Sequence, residues 1–157
     1  MAQENVPMKT MKTLMILSPL HKAIRQVDIH LAEHTRALGV SNTEGHLLTY
    51  LASYAPCPIS ELHRVFGLKR STLTSLLDRL ESRGLVRRKS HPEDRRSLLV
   101  ALRPGGRRLA GKLHALVNGF EDKVLAAVKP AHLAGFRKVL ETIERVSEVE
   151  VRPTAKR

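Results

Sequence analysis

A single cysteine, Cys57, stands among 157 residues. That excludes an intrachain disulfide and a cysteine-based zinc cluster, and it fits a reducing, cytosolic compartment. Tryptophan is absent, and Phe and Tyr together make up 3% of the chain. Readers of RNA and single strands stack bases on aromatic rings. Three Phe and two Tyr, in no paired or alternating pattern, cannot build such a platform. Long apolar runs are missing too. Leu14-Met15-Ile16-Leu17 follows Lys9 and Lys12 but is too short for a secretory core, and no small-residue cleavage site comes after it. Nothing approaches the roughly 18 apolar residues of a membrane span. The expectation is a soluble cytoplasmic protein with no membrane partner. Also absent are a Gly-rich phosphate loop, G-x-S-x-G, H-E-x-x-H and clustered carboxylates in an apolar setting, so neither an enzyme nor a cofactor is expected.

Negative charge is the remaining shortage. Fifteen Asp and Glu face 27 Lys and Arg, a net of +12 and a pI near 10.6. Such a surface attracts polyanions, nucleic acid foremost. The excess is local: between Cys57 and Lys112 there are 14 Lys and Arg against 5 Asp and Glu, +9 of the total. With few aromatics, that charge suits the backbone and groove edges of a duplex.

The chain length allows one domain with helical extensions. Ser18-Pro19 reads as a helix start with Ser18 as N-cap, and the helix runs to Leu38 before Gly39. Leu20, Ile24, Val27 and Leu31 share a face; Ile29 and Leu38 fall off it, so this helix is expected to be covered on a second side by a partner chain. Ser41 to Glu44 fits a capping box for a helix to about Tyr54. A third helix begins near Pro58 and ends at Gly67, and a fourth runs from about Lys69 to Arg83. Leu73, Leu76, Leu77 and Leu80 give the fourth helix a core stripe. Two strands, Leu85 to Lys89 and Leu98 to Leu102, flank a tip from His91 to Arg96. A long helix is expected from about Arg107 to Val128, with Leu109, Leu113, Leu116 or Val117, Phe120 and Val124 inward. A last helix from Ala131 to about Val149 is expected to bury Leu133, Phe136, Val139, Leu140 and Ile143. Residues 1–17 read as a lead-in and 151–157 as a disordered basic tail.

The fourth helix has two unlike faces. Opposite its leucines, the N-terminal end carries Lys69, Arg70, Ser71, Thr72, Thr74 and Ser75. Free backbone N–H groups there favour phosphate, an Arg can bridge a guanine edge, and hydroxyls can meet phosphates or bases. A solvated amphipathic helix has the same pattern, so order along the chain must decide. The hairpin follows at once. Asp94 at its tip can fix the turn and orient Arg96, leaving Arg95 or Arg96 to face a minor groove. An ordinary hairpin with a surface ion pair is the plainer alternative. Helix, turn, helix and hairpin together are the layout of a winged helix-turn-helix. Arg79 and Arg87 complete the set of expected DNA contacts.

The stretch from Ile59 to Gly106 resembles the DNA-binding core of the MarR family of bacterial transcription regulators. The residues that carry the likeness are Ser60-Glu61-Leu62, Leu68, Ser71-Thr72-Leu73-Thr74, Leu77-Asp78-Arg79-Leu80-Glu81, Arg83-Gly84-Leu85-Val86 and the wing signature Asp94-x-Arg96-x-x-x-Val100-x-Leu102. The resemblance implies a mainly α fold: an N-terminal dimerisation helix in 1–40, a winged helix-turn-helix in 41–103, and dimerising C-terminal helices in 104–150. It also implies a homodimer on a pseudo-palindromic double-stranded operator, most often as a repressor, released by a small anionic or phenolic effector. Three positions depart from the pattern: Lys69, Pro58 and Arg103 stand where a Ser or Thr cap is usual. Each exchange removes a cap worth about 1 kcal/mol.

Candidate sensing residues are few. By family analogy an effector pocket would lie between the first two helices and the long helix, with His21, Arg25 and His46 as partners for an anion; taken singly, each is equally an exposed side chain. His30 and His34 are four apart and could share a metal with Glu33 or a second chain, although eight histidines make one such pair unsurprising, so no metal site is expected. Cys57, near a helix start, is expected to be a packed residue rather than a redox sensor. The competing functional class is a winged helix for protein contact or non-specific nucleoid binding, which would show no preference among duplexes.

Overall fold

The computed structural model describes residues 14–94 and 97–149. Six α-helices and a three-stranded antiparallel sheet lie among them: α1 (Leu17–Ala37), α2 (Asn42–Tyr54), β1 (Cys57–Pro58), α3 (Ile59–Phe66), α4 (Arg70–Ser82), β2 (Val86–Ser90), β3 (Leu98–Leu102), α5 (Pro104–Ala127) and α6 (Pro130–Ser147). The fold is mainly α with a wing. The sheet order is β1-β3-β2. Val86 pairs with Leu102 and Ser90 with Leu98 across the hairpin, while Cys57 pairs with Val100.

The core gathers one stripe from each element. Leu47, Leu48 and Leu51 of α2 meet Leu62 of α3, all four leucines of the α4 stripe, Val86, Val100 and Leu102 of the hairpin, and Ala110 and Leu113 of α5. Each is at most 3% exposed, so truncating one of these leucines would cost about 2–5 kcal/mol. Two left-handed glycines set the corners around α4. Gly67 (φ 59°) closes α3 and Gly84 (φ 67°) turns the chain from α4 into the wing. At the turn His63 Nδ1 lies 3.0 Å from the Leu68 carbonyl, which can only accept, so this nitrogen carries the proton.

The capping box of α2 is as expected: the Glu44 N–H donates to Ser41 Oγ, and the Ser41 N–H to Glu44 Oε2. Several boundaries differ from expectation. The first helix begins two residues earlier, at Leu17, with Ile16 as an N-cap whose side chain makes no capping bond. Ser18 and Pro19 therefore sit inside the first turn, where the missing N–H of proline costs nothing. The long helix starts at Pro104 and not near Arg107. Pro104 takes the first helical position, and Gly106 follows because a Cβ there would collide with the Leu85 carbonyl oxygen. β1 had no counterpart in the sequence pattern. It is two residues long and exists only because β3 pairs with it.

The terminal helices depart most. No residue of α6 is buried within the chain; Phe136 is 51% and Val139 36% exposed, while Leu133, Leu140 and Ile143 are half-buried. Val124 on α5 is exposed as well. The apolar periodicity is there, but no intrachain surface covers it. On α1, Leu31 is buried whereas Ile24 and Ile29 are exposed.

Candidate nucleic-acid interface

The buried leucine stripe fixes the rotation of α4, and that rotation decides what the other side presents. Lys69, Arg70, Ser71, Thr72, Thr74 and Ser75 are all exposed. Lys69 is the N-cap residue with extended backbone and provides no side-chain cap, so the first N–H groups of α4 point outward without a side-chain partner from the cap. Thr74 Oγ1 donates to the Arg70 carbonyl at 2.9 Å, which spends its proton inside the helix and leaves it an acceptor. Arg70 forms no side-chain bond to a described residue and is unrestrained at the head of the face. The other two departures from the family pattern behave as Lys69 does: neither Pro58 nor Arg103 contributes a side-chain cap.

Two ion-pair systems hold this face in place, and the sequence reading named neither. The first joins α4 to the N-terminus of α2. Glu44 is 6% exposed; its Oε1 accepts from Arg79 Nε at 3.3 Å and its Oε2 from the Ser41 N–H at 2.9 Å. Burial alone would raise the Glu44 carboxyl, but the hydrogen bonds from Ser41 and Arg79 and the Arg79 charge outweigh it and hold the group below its usual value. Arg79, an expected DNA contact, thus has one nitrogen committed inward while 59% of its side chain stays exposed. Arg83 adds a bond from Nη2 to the Gly39 carbonyl at 2.8 Å. The same joint extends to α1: Asn42 donates to the Asp28 carbonyl and accepts from Thr35 Oγ1, both at 2.7 Å.

The second system joins α4 to the wing. The Arg88 N–H and Nε each donate to Glu81 at 2.9 Å, and Nη2 reaches both Glu81 Oε2 and Asp78 Oδ1 at 2.6 Å. The bonds from Arg88 hold the Glu81 carboxyl below its ordinary value, and those from Glu81 and Asp78 raise the Arg88 guanidinium in turn. Asp78 and Glu81, three apart on one helix face ahead of a basic strand, were the available signal.

On the hairpin, Arg87 is exposed on the strand position next to the clamped Arg88. The tip closes through the Ser97 N–H to the Asp94 carbonyl and the His91 N–H to the Ser97 carbonyl, both 2.9 Å. Arg95 and Arg96, and with them the expected pairing of Asp94 with Arg96, lie outside the described residues.

The expected sensing residues do not converge. A crevice between α1, α2 and α5 is lined by Leu31, Thr35, His46, Thr49, Leu113 and Leu116 among others, with a volume of about 10 Å³, room for about one water. His46 reaches it; His21 and Arg25 are exposed and do not line it. His34 Nδ1 lies 3.1 Å from the His30 carbonyl, and the His30 ring packs 4.9 Å from Phe120, so these two rings engage α1 itself and α5. Among the described residues no three His, Cys, Asp or Glu side chains are grouped to hold a metal ion. Cys57 is 1% exposed, within the core. No helix among the described residues is long and apolar enough to cross a membrane.

Residues 40–98 match the model of the MarR family. The multiple antibiotic resistance protein MarR of Escherichia coli is 31% identical over 99 residues, covering 63% of this chain and 69% of that protein. The HTH-type transcriptional regulator YwhA of Bacillus subtilis is 27% identical over 122 residues, 75% of this chain and 85% of its own. Among solved structures, a mutant Escherichia coli MarR complexed with operator DNA superposes with a TM-score of 0.70 at 26% identity over 80% of this chain and 91% of that one. The Staphylococcus aureus MepR–DNA complex matches in fold, with a TM-score of 0.75 at 17% identity over 85% and 99% of the two chains.

Proposed function

The chain belongs to the MarR family, whose members are transcriptional regulators and not enzymes, and from that premise we propose that it is a homodimeric repressor that reads a pseudo-palindromic site in double-stranded DNA. The observation that carries this reading is the exposed run from Lys69 to Ser75 at the head of a helix locked by four buried leucines. A helix of this kind enters the major groove with its N-terminal residues toward the bases. Arg70 is assigned to a guanine edge; Ser71, Thr72, Thr74 and Ser75 to bases or phosphates; Lys69, Arg79 and Arg87 to phosphates. The wing, with Asp94 positioning and Arg95 and Arg96 contacting, grips the flanking groove. The 31%-identical relative and the operator complex of its mutant support DNA as the partner.

The exposed apolar faces of α1, α5 and α6 support the dimer. Two-fold symmetry then sets the recognition helices about 34 Å apart, one duplex turn. A small anionic or phenolic effector is assigned to the joint between α1, α2 and α5, where the narrow crevice would have to open to admit it; His46 lines that crevice with Thr35, Asn42 and Thr49, and His21 and Arg25 do not. Cys57 is buried in the core, and among the described residues no group of three His, Cys, Asp or Glu forms around His30 and His34, so none of the three is assigned a sensing role.

Selection of bound duplexes from a random pool tests the central reading. The expected product is a palindromic site bound roughly a thousandfold more tightly than random duplex. Equal binding of all duplexes would leave the non-specific alternative standing instead. Repeating the selection with a panel of phenolic and anionic metabolites identifies the effector as the one that erases the site.

A further inference from the structure

The arginines of the DNA-binding lobe fall into two sets. Arg79, Arg83 and Arg88 are each bonded to a carboxylate or a carbonyl. Arg64, Arg70 and Arg108 make no side-chain hydrogen bond or ion pair with a described residue, and neither do Arg87, Arg103 and Arg107. Yet these three, from β2, from the β3–α5 junction and from the first turn of α5, line one cleft together with Leu102 and Pro104. The cleft has a volume of about 400 Å³. It lies at the root of the wing, where the hairpin hands over to the long helix.

Arg87, Arg103 and Arg107 bring three positive charges to the border of one opening, and none is hydrogen-bonded to a carboxylate among the described residues. Arg103 is near enough to help depress the Glu81 carboxyl, but both oxygens of Glu81 are already taken by Arg88. All three side chains are exposed and open to an anion from outside the chain. Guanidinium forks match the oxygens of phosphate bidentately and hold it more strongly than neutral donors do. A cleft of this size takes a small molecule as well as a bare ion. Leu102 and Pro104 give it an apolar floor against which the non-ionic part of a ligand can rest.

We infer that this cleft is a phosphate-binding site, formed by Arg87, Arg103 and Arg107 and separate from the groove-reading face of α4. The phosphate belongs either to a small phosphorylated metabolite or to the duplex backbone beyond the wing. The inference stands on the free protein and does not require a specific operator.

Titration calorimetry of the full chain with inorganic phosphate, against chloride at matched ionic strength, tests it. The expected result is saturable binding at one site per chain, weakened roughly tenfold or more in an Arg103→Ala/Arg107→Ala double variant, since each lost contact is a charged hydrogen bond. An Arg103→Lys/Arg107→Lys variant, which keeps charge and volume, is expected to bind with intermediate affinity, and Arg145→Ala on α6 as the unaltered chain does. Absence of a saturable phosphate signal, or equal binding by the alanine variant with its helicity intact, overturns the site. A duplex arm separates the sources. If random duplex displaces phosphate and the alanine variant loses duplex affinity, the phosphate is the DNA's; if duplex-bound protein still takes phosphate, the ligand is a free metabolite. Should no duplex be preferred over another while phosphate still binds and depends on the arginines, the operator reading falls and the cleft remains.

Discussion

Arg88 binds Glu81 through three donors, its own backbone N–H, Nε and Nη2, at 2.6–2.9 Å. One end of this clamp is the last turn of the helix that faces the groove. The other is the first half of the wing. The two parts assigned to DNA are therefore tied at a point assigned to no DNA contact. Glu81→Ala is expected to cost about 1–2 kcal/mol, the lower part of the range for charged hydrogen bonds because both side chains are partly exposed. The Arg88 amide reports it directly: its hydrogen exchange is expected to quicken roughly tenfold for each 1.4 kcal/mol lost. An unchanged exchange rate would mean that the hairpin ladder alone holds the wing.

Acid should release both ion-pair systems. Glu44 and Glu81 each have a folded pKa below the ordinary 4.5. The stability they contribute is thus fully present above about that value and lost as pH falls through their folded pKa values. The denaturant midpoint is expected to be flat in this respect from neutral pH to about 4.5 and to fall below it, and a Glu44→Gln/Glu81→Gln variant should show a shallower fall. Removing Glu44 altogether is the harsher change. Glu44→Ala removes the acceptor of the Ser41 N–H and frees the mostly exposed Arg79, and should cost about 2 kcal/mol in chemical denaturation.

The winged helix-turn-helix was legible because each of its signals is local. The leucine stripe of α4, the glycines at 67 and 84 and the Ser41–Glu44 box are each set by neighbours within a few positions. What depends on pieces meeting was not. β1 is a strand only through Val100 and Leu99 on β3. The Arg88 clamp needs the Gly84 turn to bring residue 88 back over residues 78 and 81, and the Glu44–Arg79 bond spans 35 positions. The stripe on α6 was read correctly as apolar and wrongly as buried, since periodicity states which residues want cover and not which surface provides it.

If α4 is the recognition helix, two substitutions should separate affinity from specificity. Lys69 caps α4 with no side-chain bond. Lys69→Ser supplies a hydroxyl acceptor and is expected to stabilise the fold by about 1 kcal/mol, while removing a charge assigned to a phosphate. Thermal denaturation should therefore rise by a few degrees as duplex affinity falls uniformly across sequences and the salt dependence becomes shallower. Arg70→Ala should leave stability unchanged and relax selectivity by about 1–3 kcal/mol at one base pair of each half-site. Identical binding profiles for the two variants would contradict that division.

The last helix carries the prediction on assembly. Phe136, Val139 and Val146 on α6, with Val124, Leu125 and Val128 at the end of α5, are exposed, and α6 contributes nothing to the core of the DNA-binding lobe. An apolar surface of this extent on a highly charged chain is stable in water when a second copy covers it. Phe136→Asp places a charge on that surface and should convert the proposed dimer to a monomer in sedimentation at micromolar concentration. The lobe core, built from α2 to the first half of α5, should keep its near-native circular dichroism. Binding to a palindromic duplex should fall to the affinity of an isolated half-site, because the second recognition helix then contributes only as a separate molecule. A Phe136→Asp chain that still sediments as a dimer and binds the full site unimpaired would locate the pairing surface elsewhere, with α1 and its exposed Ile24 and Ile29 the next face to alter.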